Sequence, residues 1–225
     1  TDDGLSQFSV NSMYIDERGI IWIGTREGLN RYNGNDIKSF KLKKNDPNSL
    51  FSNTVLRITG NKKGKVYLLC TDGIAEFDLT TQRFKTLLQG NVDAIYYNEK
   101  LYIGKREEVF VYNESTGNFD LYYHLAGKDI TLSCLHLDDK KNLWMGTTGN
   151  GVYCLSENKT VSQPITKGNI TSIYEDSSKE LWIGSWEEGL YHITTDGNIK
   201  NLRHDPQNPN SLCSDFVRSC CEDNA

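Results

Sequence analysis

One short strand motif recurs along the chain: an aliphatic residue, an aromatic residue, another aliphatic residue and then, in most copies, glycine. It appears as Ile21-Trp22-Ile23-Gly24-Thr25, as Leu143-Trp144-Met145-Gly146-Thr147 and as Leu181-Trp182-Ile183-Gly184-Ser185. Degenerate copies fill the gap, Val66-Tyr67-Leu68-Leu69 and Leu101-Tyr102-Ile103-Gly104. The flanks repeat with it. An aspartate precedes the tryptophan by six positions at Asp16, Asp138 and Asp176, and an alternating strand such as Val10-Asn11-Ser12-Met13-Tyr14-Ile15 lies upstream. Downstream come a short loop, a third run (Gly28 to Tyr32, Gly189 to Ile193) and a fourth (Ile37 to Phe40, Ile199 to Leu202).

Each unit therefore holds four short runs of strand formers separated by Gly, Asn, Asp and Ser turns. Internal repetition at roughly 40 residues with four strands per repeat is the signature of a propeller blade. No helical period persists long enough to compete. A sandwich or barrel gives no reason for the same aromatic and glycine to return at one place in every unit. The predicted fold is an all-β propeller of four-stranded antiparallel blades over 5–49, 50–90, 91–129, 130–168 and 169–211, with 212–225 as the first strand of a sixth, in one partial propeller domain spanning 1–225. The tryptophans are expected to wedge between neighbouring blades. The glycine two positions on is expected to let a neighbouring backbone come close, and Asp16, Asp138 and Asp176 to cap hairpin turns. The open-ended repeat leaves two unpaired edges, an association hazard.

Composition narrows the functions. With 25 Lys+Arg against 30 Asp+Glu, net charge −5, and no basic cluster, a nucleic-acid partner is not expected. No apolar run approaches the ~18 residues of a membrane-spanning helix. The six cysteines form no C-x-x-C pair and are read as packing residues. No metalloprotease, nucleophile-elbow or calcium-loop motif is present. Gly60 to Lys65 is one residue short of a phosphate loop and falls in a hairpin turn. His124, His136, His192 and His204 share no spacing and are read as structural. No catalytic residue, metal ligand or cofactor is assigned.

In a blade whose strands alternate direction, the turns between strands two and three share a face with the links between blades. That places Arg26, Glu27, Asp72, Arg106, Glu107, Asn150, Trp186 and Glu187 on one side, together with two longer links, Asn45 to Leu50 and Asp205 to Leu212. Polar, charged and aromatic groups gathered this way suit a polyhydroxylated ligand, and Trp186, in a loop, is placed to stack on a sugar ring.

The stretch Asp16 to Tyr32, the link Asp46 to Leu50 with its expanded copy Asp205 to Leu212, and the opening Asp3-Gly4-Leu5-Ser6 resemble the two-component regulator propeller repeat. The resemblance covers nearly the whole chain, strongly in repeats one, four and five and weakly in two and three, where tyrosine replaces tryptophan. It implies the N-terminal part of the periplasmic sensor of a Bacteroides-type hybrid two-component histidine kinase. Such a parent is anchored in the inner membrane, is a homodimer, detects glycan-derived oligosaccharides and signals to a cytoplasmic kinase and transcription regulator. On that reading the chain is not itself an enzyme, and its partners are an oligosaccharide and the rest of the sensor ectodomain. A sialidase-like propeller glycosidase is one alternative, although only Arg26 and Arg106 occupy loops suited to an arginine cluster. A protein-interaction scaffold is the other.

Overall fold

A computed structural model describes residues 4–127 and 129–223. Asp3 of the opening motif and residues 224–225 of the terminal segment lie outside the described residues. Every regular element is a strand. Blade one comprises β1 (Val10–Ile15), β2 (Ile21–Thr25), β3 (Gly28–Tyr32) and β4 (Ile37–Phe40). Blade two comprises β5 (Val55–Gly60), β6 (Lys65–Cys70), β7 (Gly73–Asp78) and β8 (Arg83–Gln89). Blade three comprises β9 (Ala94–Asn98), β10 (Lys100–Lys105), β11 (Glu108–Asn113) and β12 (Asn118–His124). Blade four has β13 (Leu132–Leu137), β14 (Leu143–Thr147) and β15 (Val152–Leu155), and blade five has β16 (Ile170–Glu175), β17 (Leu181–Ser185), β18 (Leu190–Ile193) and β19 (Ile199–Leu202). In each blade the strands pair in sequence order, and the ladders of blades one, two, four and five are antiparallel. These are β-propeller blades, as the repeat predicts.

Two details differ from the four-stranded expectation. Blade four is a three-stranded sheet, and its fourth run is irregular. Pro164 has no N–H to give a ladder. The run still follows the edge, through Ser162 N to Cys154 O (2.9 Å) and Ile165 N to Val152 O (2.8 Å). The second difference is at 212–223, expected as a sixth first strand, where no strand forms among the described residues. Its backbone makes separate bonds to blade five, such as Val217 N to Ser185 O (2.9 Å), instead of a ladder.

The contacts group into two compact units, residues 1–103 with 110–121 and residues 104–109 with 122–225. In the first unit Trp22, 1% exposed, sits among Leu50, Val55, Ile58, Leu68 and Phe77 of blade two. Its ring lies 5.2 Å from that of Phe77. A second cluster joins Tyr67, Leu69 and Ile74 of blade two to Ile95, Leu101 and Ile103 of blade three. In the second unit Trp144 of blade four packs with Ile170, Leu181 and Ile183 of blade five. Burying one such side chain contributes roughly 1.5–3 kcal/mol, so the repeated wedge is a main source of cohesion between blades.

The repeated glycine makes the wedge possible, though a side chain fills the space where a neighbouring backbone was expected. A Cβ on Gly24 would lie 2.7 Å from Val55 Cγ1, and one on Gly146 would lie 2.8 Å from Ile170 Cγ2. One on Gly184 would lie 3.0 Å from Val217 Cγ1. Val217 thus takes the place in the terminal segment that Val55 and Ile170 take in complete blades. A second repeated contact agrees. The first strands of blades one, four and five bulge at one position, between Val10 and Ser12, between Leu132 and Cys134 and between Ile170 and Ser172. The extra residue, re-aimed by the bulge, donates to the same valine or isoleucine carbonyl: Asn11 Nδ2 to Val55 O (2.9 Å), Ser133 Oγ to Ile170 O (2.6 Å) and Thr171 Oγ1 to Val217 O.

Candidate functional site

In blades one, four and five the turn joining second and third strands is fixed from beneath by a hydroxyl side chain of the second strand. Thr25 Oγ1 donates to Gly28 O (3.0 Å) and accepts from Glu27 N (3.1 Å). Thr147 and Ser185 do the same for the β14–β15 and β17–β18 turns, donating to Gly151 O (2.6 Å) and Gly189 O (2.8 Å) and accepting from Asn150 N (3.2 Å) and Glu188 N (2.9 Å). All three hydroxyl residues are fully buried, so the backbone of each turn is held while its tip projects into solvent.

In the first unit this brings Arg26, Glu27 and Asp72 to one end of the strands, beside the link from β4 to β5. Thr54 Oγ1 donates to Arg26 O (3.3 Å), while Thr54 O accepts from Thr71 N (3.2 Å), next to Asp72. Glu27 pairs with Lys41 across 3.6 Å, both well exposed. Asp72 accepts from Ser52 Oγ (2.9 Å) and Thr71 Oγ1 (3.2 Å). Its carboxylate therefore spends acceptor capacity on its own loop, and Arg26 and Glu27 present the more available side chains. The link Asn45 to Leu50 is folded on Ser49, whose hydroxyl accepts from Lys43 N (3.0 Å) and donates to Asp46 O (2.9 Å), and Leu50 anchors it in the core.

The second unit repeats the pattern. Arg106 O accepts from Leu132 N (2.8 Å) and Glu107 O from Leu125 N (2.9 Å), tying that turn to the links on either side of it. The Arg106 and Glu107 side chains approach to 3.5 Å, with Arg106 mostly in solvent. Asn150 bridges to Gly168. Trp186 N donates to Asn169 O (2.9 Å). Its indole is 52% exposed. Phe216 touches it at 4.1 Å between ring centroids, tilted by 50°, so the ring is supported yet open.

The sequence reading did not single out the arginine behind this tryptophan. Arg203 donates to Glu188 (2.8 Å), through Nε and Nη2 to Asp215 (3.0 and 2.7 Å) and to the Glu187 carbonyl (2.8 Å). The Asp215 carboxylate raises the Arg203 pKa, and the Arg203 guanidinium in turn holds Asp215 below the usual carboxylate range. Asp215 also accepts from His204 N (2.7 Å). This network fixes the backbone of the Glu187–Glu188 turn and leaves the Glu187 side chain exposed. The only linear signal is Arg203-His204 immediately ahead of the expanded Asp205 to Leu212 link.

A cleft of about 570 Å³ lies elsewhere, at the opposite ends of the first unit's strands, lined among others by Asn61, Tyr97, Lys100 and Glu114. No predicted site residue lines it. The departures from the repeat at Asn61 and Tyr67, where blades one, four and five carry aspartate and tryptophan, were the available signal. Among the described residues no group of three or more His, Cys, Asp or Glu side chains is arranged to hold a metal ion.

Comparison with known proteins follows the same repeat. The family model described as two component regulator propeller matches residues 4–27 and 164–187, in blades one and five. A segment of 45 residues, 20% of the chain, is 47% identical to histidine kinase P4 of Formosa agariphila and covers 3% of that protein. Among solved structures, the extracellular domain assigned to a hybrid two-component system of B. thetaiotaomicron superposes with a TM-score of 0.80 at 23% identity, over 96% of this chain and 31% of that one. Virginiamycin B lyase of Staphylococcus aureus superposes at 0.71 with 16% identity, over 88% of this chain and 71% of that one. At these identities the structural likenesses establish the propeller fold. The chain spans a small part of the kinase and about a third of the extracellular domain.

Proposed function

Because the chain carries two-component regulator propeller repeats, we propose that it is the N-terminal sensor propeller of a hybrid two-component histidine kinase. On this reading it sits in the periplasm, joined to the rest of a sensor ectodomain and through an inner-membrane anchor to the kinase and transcription regulator. It binds a glycan-derived oligosaccharide and has no catalytic role of its own. The observation that carries the reading is the repeat at residues 4–27 and 164–187. The short match to a histidine kinase supports it.

Ligand contacts are assigned within each unit, to the turns carrying Arg26, Glu27 and Asp72 in the first and to those carrying Arg106, Glu107, Asn150, Trp186 and Glu187 in the second. Rigid turn backbones with projecting polar tips suit a ligand rich in hydroxyl groups, because each hydroxyl both donates and accepts. A half-exposed indole offers a flat apolar face for a sugar ring. Signalling requires only that the ligand bind one arrangement of a dimeric ectodomain better than another, since that difference in affinity shifts the population.

Titration calorimetry of the chain against glycan-derived oligosaccharides tests this. Binding is expected, accompanied by a shift in tryptophan emission. Trp186→Ala should weaken it about tenfold, the equivalent of ~1.4 kcal/mol. A panel without binding, or release of cleaved product from a glycoside, would reject the sensor reading, the latter in favour of a glycosidase.

A further inference from the structure

The cleft of about 570 Å³ in the first unit falls within the roughly 300–1,000 Å³ of small-ligand sites. It is formed between blades two and three, which both depart from the aspartate–tryptophan pair of blades one, four and five. In blade one a single carboxylate, Asp16, accepts from the turn backbone and from Trp22 Nε1 at 2.9 Å. In blade two Asn61 stands at the aspartate position and still holds its turn, accepting from Lys63 N (2.8 Å) and Lys65 N (2.9 Å). Tyr67 replaces the tryptophan. Its hydroxyl is fully buried and has no hydrogen-bond partner among the described residues. The acid–indole bond that closes this end in blades one, four and five is therefore missing where the cleft opens.

Tyr67 also underpins a platform. The ring of Tyr97, on β9, stacks on Tyr67 at 5.6 Å with only 13° between planes. The Tyr97 hydroxyl donates to Glu99 O (3.1 Å), which fixes the far end of the ring. Lys63 and Lys100, together with Glu99, Glu114 and Asp120, line the cleft alongside this half-buried ring. An anion entering here meets the carboxylates, and a cation meets the ammonium groups. A neutral molecule with adjacent hydroxyls meets donors and acceptors together, beside an aromatic face.

We propose that this cleft is a separate binding site for a neutral saccharide of one or two rings, seated on Tyr97 and hydrogen-bonded by Lys100 and Glu114. The site is at the opposite ends of the strands from the turns of Arg26 and Asp72, and its existence does not depend on theirs.

Saturation-transfer NMR on the whole chain tests the assignment, with glucose, galactose, lactose and cellobiose as probes and glucuronate and glucosamine as charged controls. Neutral probes should bind in preference to both controls. Lys100→Met and Glu114→Gln alter exposed side chains and preserve the fold, and each should weaken binding at least fivefold. Tyr97→Ala should weaken it further, whereas Trp186→Ala should leave it unchanged. No binding of neutral probes, unchanged binding in both Lys100→Met and Glu114→Gln, or preference for a charged control overturns the proposal. Loss in Trp186→Ala alone would move the sugar to the turns, overturning the cleft while sparing the sensor reading. Cleft binding without any oligosaccharide response at Trp186 would do the reverse.

Discussion

Asp16 joins the turn backbone to an indole through one carboxylate. Oδ1 accepts from Arg18 N (2.9 Å) and Ile20 N (3.0 Å), and Oδ2 accepts from Trp22 Nε1 (2.9 Å). Asp138 and Asp176 repeat the indole bond to Trp144 and Trp182, both at 2.8 Å. Burial alone would raise the Asp16 pKa, but the hydrogen bonds from Trp22, Ile20 and Arg18 outweigh it and hold the group below its ordinary value. Asp176 is shifted the same way, with bonds from Trp182 and Glu180 offsetting burial. A carboxylate depressed in the folded state contributes its stability above the unfolded value, about 3.9, and loses it as pH falls through the folded value. Asp16→Ala is expected to cost ~1.5–3 kcal/mol in urea unfolding at pH 7, because it strands a buried indole N–H and two turn amides. The variant should lose less stability than the parent on acidification below about pH 4. Equal acid sensitivity would show that this carboxylate is not the group responsible. The turn-capping role was legible from the six-residue spacing. The bond to the indole was not, because spacing cannot tell which way the ring nitrogen points.

At the scale of elements, the blade contact reduces to a glycine on one strand and a branched side chain on the next blade's first strand. Gly24→Ala puts a methyl 2.7 Å from Val55 Cγ1 and should destabilise the chain by ~1–3 kcal/mol. Val55→Ala alone opens a cavity, but in the Gly24→Ala background the two losses should be less than additive, and thermal melts of the four variants measure the coupling. Full additivity would mean that the pair is not in contact. Strand positions were readable because the aromatic–glycine motif fixes the second strand and the alternation fixes its neighbours. Blade four's last run follows the edge without a regular ladder, because Pro164 removes a ladder donor. The stretch from Phe216 to Cys221 has a strand's composition, and what it lacks is a ladder. For the candidate site, topology gave the turns that share an end of the strands, but not their partners. Arg203 joins Glu188 and Asp215 across 15 and 12 residues, and Phe216 reaches Trp186 from the terminal segment. The cleft stayed hidden for a related reason: Tyr67 reads as a conservative change from tryptophan, and only the missing indole bond shows its consequence.

For the whole molecule, two compact units carry the same turn construction. Buried Thr25, Thr147 and Ser185 hold turn backbones while Arg26, Asn150 and Glu187 project. A sensing role at these tips means that ligand should slow exchange of turn amides that already have partners in the free chain. Hydrogen–deuterium exchange, read peptide by peptide with and without glycan-derived oligosaccharides, tests this most directly. The account predicts protection over residues 26–28 and over residues 186–189, the latter removed by Trp186→Ala. Unchanged exchange at both turns under every oligosaccharide would contradict it.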